Sequence, residues 1–470
     1  MSASQENPAP CETTSDVFSK GFLQNALKIE AKGGPVPEIT SYLTTLGTKP
    51  GDNYGSIIYS VDIDLSDGTK RFFVIKCYPN HPGRQEFGNT SNMFFKECEV
   101  YSKWIPELGR MQKEVFSLDE EERVKLPYAK FVHGECIDFQ SEEGQARKSG
   151  VISSLDNFII MEDLRKTYGF RMSNRLVPFD LDHMHLVIET LAKVHAISWV
   201  YRNHVESQIT EKFPCLVTNL RMENMEIWSS VINANLEQAK EIFDKEFGPG
   251  NNYSASADKF AGMVGKISEL TCGGDEDGTG IEKLLRITNP DPVKFGRDAK
   301  NPEPWRIICH GDCWSNNMLF RYDPKSGKPL EIVLVDLQLP QESCVVNDLE
   351  YVFFVCTSLE FRRKHTDTLL QLYHDTFNGI CDKFETPTLP GFCMDSLRFR
   401  FHRGKLLGYY LAMMVLPIIL KDGNVTNMED IEQSKDIAEA FIDICKADEN
   451  ALLKGRLIEV MKGMIEDGVF

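Results

Sequence analysis

The segment from Cys309 to Gln338 constrains this chain more than any other. It reads Cys309-His310-Gly311-Asp312-Cys313-Trp314-Ser315-Asn316-Asn317-Met318-Leu319-Phe320 and later Ile332-Val333-Leu334-Val335-Asp336-Leu337-Gln338. Between the two apolar runs lies Asp323-Pro324-Lys325-Ser326-Gly327, a strong turn signal. A fold that honours this pattern must lead a loop into a hairpin, with Asp312, Asn317 and Asp336 converging on one point. That spacing suits phosphoryl transfer: one carboxylate accepts a hydroxyl proton, while an amide and a second carboxylate hold a metal ion against nucleotide phosphates. Asp312 is therefore the candidate catalytic base, and Asn317 and Asp336 are candidate Mg²⁺ ligands, both hard oxygen donors. Taken singly, each residue has an ordinary explanation as a loop turn or a strand-end cap. Their combination with the hairpin carries the reading.

The N-terminal half supplies a complementary pattern. Ile57, Tyr59, Val61, Ile63 and Leu65 are apolar at every second position, as in a half-buried strand. Ser66-Asp67-Gly68-Thr69 is the turn, and Arg71 to Cys77 is the returning strand, which carries Lys76 near its end. The polar loop Gly51 to Ser56 precedes the hairpin. Asn53, Gly55 and Ser56 offer donors to phosphate, although two glycines in six residues are a weak phosphate-loop signal. A helix is expected from about Thr90 to Ile105, closed by Pro106, with Phe94, Cys98, Tyr101 and Ile105 on its inward face. Glu97 borders that face and Glu99 turns away, so Glu97 is the carboxylate expected to meet Lys76. Phe158 to Met161 is an apolar strand running into Glu162-Asp163-Leu164, which suits a hinge. From about residue 165 the periodicity becomes mostly helical, including an apolar-faced helix over Leu186 to Val200.

Composition narrows the class of function. A chain of 470 residues, 42% hydrophobic and 26% charged, can bury a large core. The formal net charge of -18 argues against nucleic acid and against an anionic membrane surface as partners. ATP remains compatible, since lysine and a cation can reverse the field locally. The longest apolar run, Leu406 to Leu420, is short for a membrane span and contains Pro417; it reads as a buried helix. Thirteen scattered cysteines suggest reduced thiols rather than a disulfide frame, and with a polar N-terminus this gives a cytoplasmic expectation. Cys309 and Cys313 with His310 between them have poor zinc spacing, so His310 is expected to brace its loop.

These residues together resemble the ecdysteroid kinase-like family, also described as CHK kinase-like, which belongs with choline kinases and aminoglycoside phosphotransferases in the protein-kinase-like fold. Asn53-Tyr54-Gly55-Ser56 is similar to the family's phosphate loop, Lys76 to its nucleotide lysine, and Phe94 to Glu97 with Tyr101 to its Glu helix. Met161-Glu162-Asp163-Leu164 resembles the hinge whose backbone receives adenine, and Leu191 to Ala196 the helix before the catalytic loop. His310-Gly311-Asp312 with Trp314 and Asn317 is similar to the catalytic loop, Asp336-Leu337-Gln338 to the metal-binding triplet, and Asp348 to a structural aspartate after it. Cys313 departs from the family, where Leu is commoner, and Gly311 stands where protein kinases carry Arg.

The resemblance implies an α+β, bilobal protein-kinase-like fold. A 1–20 tail, expected to be disordered, would precede an antiparallel-sheet N-lobe with one long helix over 21–163 and a larger, mostly helical C-lobe over 164–470. It implies an ATP- and Mg²⁺-dependent kinase acting on a small-molecule hydroxyl, a steroid or xenobiotic alcohol, in a monomer or homodimer. The nucleotide would be received by Asn53, Tyr54, Gly55, Ser56, Lys76, Glu97, Glu162, Asp163 and Leu164. Two competing readings are a choline or ethanolamine kinase, which would need an aromatic and acidic cage, and a non-catalytic ligand-binding protein on the same scaffold. The aromatics Trp228, Phe353, Phe354, Tyr409 and Tyr410 are candidates for an acceptor pocket, with core packing as the default for each.

Overall fold

The computed structural model describes residues 17–47, 56–79, 85, 88–89, 91–147, 152–153, 155–217, 222–272, 305–420 and 450–470, the side chains of 222–228 and 269–272 excepted. Asn53, Tyr54, Gly55 and the side chain of Trp228 lie outside the described residues. The chain forms two compact units, residues 1–86 with 129–169, and residues 87–128 with 170–470. The α+β class expected from the sequence is what the structure has: one unit is built on an antiparallel sheet and the other is mostly helical.

The smaller unit is a five-stranded sheet. β1 (Ile39–Leu46), β2 (Ile57–Leu65), β3 (Lys70–Cys77), β4 (Phe131–Glu135) and β5 (Phe158–Glu162) lie in the order β1-β2-β3-β5-β4, and every adjacent pair is antiparallel. The β2–β3 hairpin forms where the alternation and the Asp-Gly turn place it; Asp67 accepts from the Thr69 amide at 2.9 Å to fix the turn. Tyr59, Val61, Ile63, Leu65, Phe73, Ile75 and Cys77 line one face, and α1 (Lys20–Glu30) buries Leu23, Ala26 and Leu27 in the same core. Phe18, which the sequence assigns to the tail, is 1% exposed and belongs to this core, because an aromatic side chain just before α1 anchors the helix on the sheet. Lys76 projects from the other face of β3, paired in register with Ile58 on β2 and Ile159 on β5.

In the larger unit the helix α2 (Met93–Glu99) does not stop at Pro106. It continues through a wider turn at Val100–Trp104, a further α segment at Ile105–Arg110 and a second wide turn at Met111–Val115. Pro106 sits at the start of the third segment, where the wide turn before it absorbs the missing N–H donor that would break a regular helix. The longer helices are α3 (Leu181–His204), α4 (Met222–Phe247), α5 (Asn252–Cys272), α6 (Val346–Cys356), α7 (Leu359–Lys383), α8 (Met394–Ile419) and α9 (Ala451–Glu466). α7 packs along α3, α8 along α6, and α5 along α4. Pro417 lies in the last turns of α8, whose Leu406–Ile419 part is largely buried. Phe353, Phe354, Tyr409 and Tyr410 are all core residues of this unit. Small antiparallel ladders complete it: β6 (Arg171–Met172), β8 (Met318–Tyr322) and β9 (Pro329–Leu334) in the order β6-β8-β9, and β7 (Ile307–Cys309) with β10 (Gln341–Ser343). Among the described residues no helix is long and apolar enough to cross a membrane. The ten cysteines whose side chains are described are free.

Candidate active site

β7 delivers the chain into the loop that carries Asp312. The loop reverses at Gly311, which has φ +82°, and a Cβ there would stand 2.1 Å from the Leu339 carbonyl oxygen. Only glycine fits, which is the physical reason an arginine is absent at this position. Asp348, on the first turn of α6, accepts from the His310 amide at 2.6 Å and the Gly311 amide at 2.9 Å. It also accepts from His195 Nε2 at 3.1 Å, while Tyr373 donates to His195 Nδ1 at 2.7 Å. Burial works to raise the Asp348 pKa, but the hydrogen bond and charge of His195, the charge of His310 and the Gly311 amide outweigh it and hold the carboxyl below its usual range. His195, Cys309 and Asp348 form a tight buried group of possible metal-ligating atoms. Both nitrogens of His195 and both oxygens of Asp348 are committed to protein partners, so the group is a brace behind the loop. His310 is buried too. Its Nδ1 meets the Asp312 amide at 3.3 Å and its Nε2 meets Val335 O at 3.1 Å.

Asp312 itself is half-buried and held at both oxygens. Tyr351, on α6, donates to Oδ1 at 2.5 Å; Asn317 Nδ2 donates to Oδ2 at 2.7 Å, and Trp314 Nε1 reaches the same oxygen at 3.3 Å. Burial raises the Asp312 pKa, the Asp336 carboxylate adds to this, and the Tyr351 bond, His310 and Asn317 act against it, leaving it raised to about 6. A carboxyl at that value is ionised at neutral pH yet basic enough to accept a proton.

The turn Ser315–Asn317 places Asn317 next to β8, and Val335 N donates to Asn317 O at 3.0 Å. This bond seats the end of β9 against the turn, so Asp336 follows directly beyond it. The strand ends at Leu334, not at Asp336; Asp336 adopts φ +62°, a left-handed conformation that aspartate tolerates better than most residues but at a cost in energy. Asn317 Nδ2 also donates to Asp312 O at 3.0 Å. With its amide nitrogen so engaged, Asn317 has Oδ1 left to offer; that oxygen and the Asp336 carboxylate are hard donors of the type Mg²⁺ takes. Glu97 is 1% exposed, and Tyr101, one turn further on, has its hydroxyl pKa pushed up by burial and then by the Glu97 and Asp336 carboxylates. Glu97 and Asp336 thus both act on the same buried hydroxyl. Glu99 instead faces outward and pairs with Lys103.

Of the remaining sequence candidates, Lys76, Ser56, Glu162, Asp163 and Leu164 lie in the smaller unit. Lys76 is 4% exposed, so it is no solvated surface lysine. Ser56 and Leu164 are buried, and Glu162 is half-buried at the end of β5. Asp163 is fully engaged within its unit. Its amide donates to Phe72 O at 2.9 Å, and its carbonyl accepts from Thr167 N at 2.9 Å. Its carboxylate caps the helix Leu164–Tyr168, binds Arg165 and accepts from Ser60 at 2.9 Å. Its neighbours are engaged as well: the Glu162 amide donates to Lys130 O at 3.0 Å, and the Leu164 carbonyl accepts from the Gly169 amide. Sequence reasoning missed Tyr351. Its one local signal was its spacing three residues after Asp348, which puts both on the same helical face.

A family model described as the ecdysteroid kinase-like family matches residues 50–386. Among solved structures, a macrolide 2′-phosphotransferase type I is 11% identical, with 85% of this chain and 97% of that chain covered and a TM-score of 0.32. Macrolide 2′-phosphotransferase MphH from Brachybacterium faecium is 11% identical, with coverages of 83% and 91% and a TM-score of 0.30. Similarities this slight carry no inference about fold or substrate. No curated protein matches the chain.

Proposed function

The chain belongs to the ecdysteroid kinase-like family, and from that premise we propose that it transfers the terminal phosphoryl group of ATP to a hydroxyl of a small molecule, a steroid or xenobiotic alcohol. The observation that carries this reading is the bonding around Asp312. A carboxylate raised to about 6 is held by Asn317 at 2.7 Å, while the Val335–Asn317 bond brings Asp336 to the same turn. Asp312 orients the acceptor hydroxyl and takes its proton as the oxygen–phosphorus bond forms and the bond to the leaving diphosphate breaks. Asn317 Oδ1 and the Asp336 carboxylate would hold Mg²⁺, which offsets the negative charge of the phosphates. Lys76 supplies a point charge for nucleotide phosphate, and Ser56, with Asn53, Tyr54 and Gly55, supplies donors. Glu97 belongs to the nucleotide machinery as the buried carboxylate of its helix, and the segment Glu162-Asp163-Leu164 is the proposed seat of adenine. Asp163 contributes by fixing that segment, and His310 and Asp348 by bracing the loop.

The test is phosphate transfer from radiolabelled ATP to a panel of ecdysteroids, aliphatic alcohols, phenols and choline, with and without Mg²⁺. Mg²⁺-dependent transfer to a steroid or foreign alcohol is expected, and Asp312→Asn should lower it by about 10²- to 10⁴-fold while ATP still binds. Choline as the preferred acceptor would move the protein to the amino-alcohol kinases. Tight ligand binding with no transfer to any acceptor would make it a binding protein.

A further inference from the structure

We infer that Tyr351 is a positioning residue for phosphoryl transfer, fixing the Asp312 carboxylate in the orientation that meets the acceptor hydroxyl. The inference rests on the reading of Asp312 as the base. Two residues on one face of α6 grip the same loop in different places. Asp348 holds the backbone at His310 and Gly311 at 2.6 and 2.9 Å, and Tyr351, three residues later, holds the side chain of Asp312 at 2.5 Å. A backbone clamp alone leaves the aspartate free to rotate about its side-chain torsions; the phenol removes that freedom. Tyr351 is itself rigid. It is 3% exposed, in the core between β7, β8 and the helical layer, and its hydroxyl spends its proton on Oδ1. Asn317 and Trp314 hold Oδ2 from the opposite side. The carboxylate plane is therefore set by three donors from two separate elements, and Tyr351 is the one that the loop cannot supply from its own sequence.

Tyr351→Phe removes a single oxygen and keeps the ring, so core packing is preserved. With ATP, Mg²⁺ and an ecdysteroid as acceptor, or water where no steroid is taken, kcat should fall about tenfold to a hundredfold with KM for ATP unchanged. A purely structural role would instead lower the fraction of competent molecules, which ATP binding by titration calorimetry counts directly. The double variant Tyr351→Phe, Asp312→Asn should be no slower than Asp312→Asn alone, because Tyr351 acts only through that carboxylate. An unchanged kcat in Tyr351→Phe, or losses that multiply in the double variant, would overturn the inference. A crystal structure of Tyr351→Phe gives a readout that needs no turnover: the Asp312 carboxylate should leave its present rotamer, and an unmoved carboxylate overturns the inference. If the wild-type protein transfers phosphate to nothing, or Asp312→Asn keeps full activity, it is the assignment of the base that fails, and the crystallographic result still decides what Tyr351 holds.

Discussion

Gly311→Ala should disable the loop that carries Asp312 by adding a single methyl group. The residue has φ +82°, where an L-residue with a Cβ carries about 1–2 kcal/mol of strain. The added methyl would lie 2.1 Å from Leu339 O and 2.9 Å from Leu339 C, whereas real Cβ atoms stay beyond 3.0 Å. Both are backbone atoms, so no side chain can swing aside. The loop and the Leu339 segment must part by about 0.9 Å (3.0 less 2.1). That movement pulls on the Gly311–Asp348 bond at 2.9 Å and displaces the next residue, Asp312. Strain and a weakened buried bond together should cost about 2–4 kcal/mol of stability. A shift near 1 Å at the base should lower kcat by about a hundredfold. Urea unfolding reads the first quantity and phosphate transfer per folded molecule the second. An alanine variant with the wild-type urea midpoint and wild-type turnover would show that the loop is not confined as described.

Further outcomes follow from other parts of the molecule. Asp336→Ala should abolish Mg²⁺-dependent nucleotide binding in titration calorimetry; binding that stays metal-dependent would remove Asp336 from the ligand set. Glu350 is fully buried on the face of α6 that meets Gly404 and Gly408, and burial pushes its pKa well above the carboxylate range despite Lys405 and Arg362. Because the folded-state pKa is raised, its contribution to stability is complete below about pH 4 and is lost as pH rises toward the folded value. Glu350→Gln should therefore gain on the wild type between pH 5 and pH 8 in urea titrations, and parallel curves for the two proteins would contradict a neutral acid at this site. Ser60→Ala removes the buried 2.9 Å bond to Asp163 and should lower stability by about 1–3 kcal/mol with no change in the Mg²⁺ requirement. A loss below 0.5 kcal/mol, read from the shift in urea midpoint, would mean that Arg165 and the helix amides satisfy Asp163 alone.

Much of the fold was legible where one element announces itself. The strict alternation from Ile57 to Leu65 and the Asp-Gly turn specify β2 and β3 almost to the residue. The helical face of Phe94, Cys98 and Tyr101 gave the inward side of α2, and Glu97 was rightly separated from Glu99. The end of that helix was not legible. A proline ordinarily stops a helix, and nothing local in Val100–Trp104 signals the widened turn that lets the chain run on. Phe18 was misplaced because burial against a sheet is not visible in a short polar segment. In the candidate site, the loop, turn and hairpin that carry Asp312, Asn317 and Asp336 were legible from spacing, since they lie within one continuous stretch. The bonds of Asp163 to Ser60 and Phe72 were not legible, because both partners lie far upstream of it.

The amino-acid order alone settled the local chemistry: which segments alternate, which turn, and which carboxylates and amides share a loop. These follow from backbone sterics and side-chain periodicity over a few residues, and no distant partner is needed to read them. Packing decided the rest. Tyr351 reaches Asp312 across 39 positions and His195 reaches Asp348 across 153, and the protonation of Asp312 and Glu350 follows from how much water the folded core excludes around them. Desolvation and long-range hydrogen bonds exist only once helices and strands have met, so the tuning of the candidate base belongs to the tertiary structure.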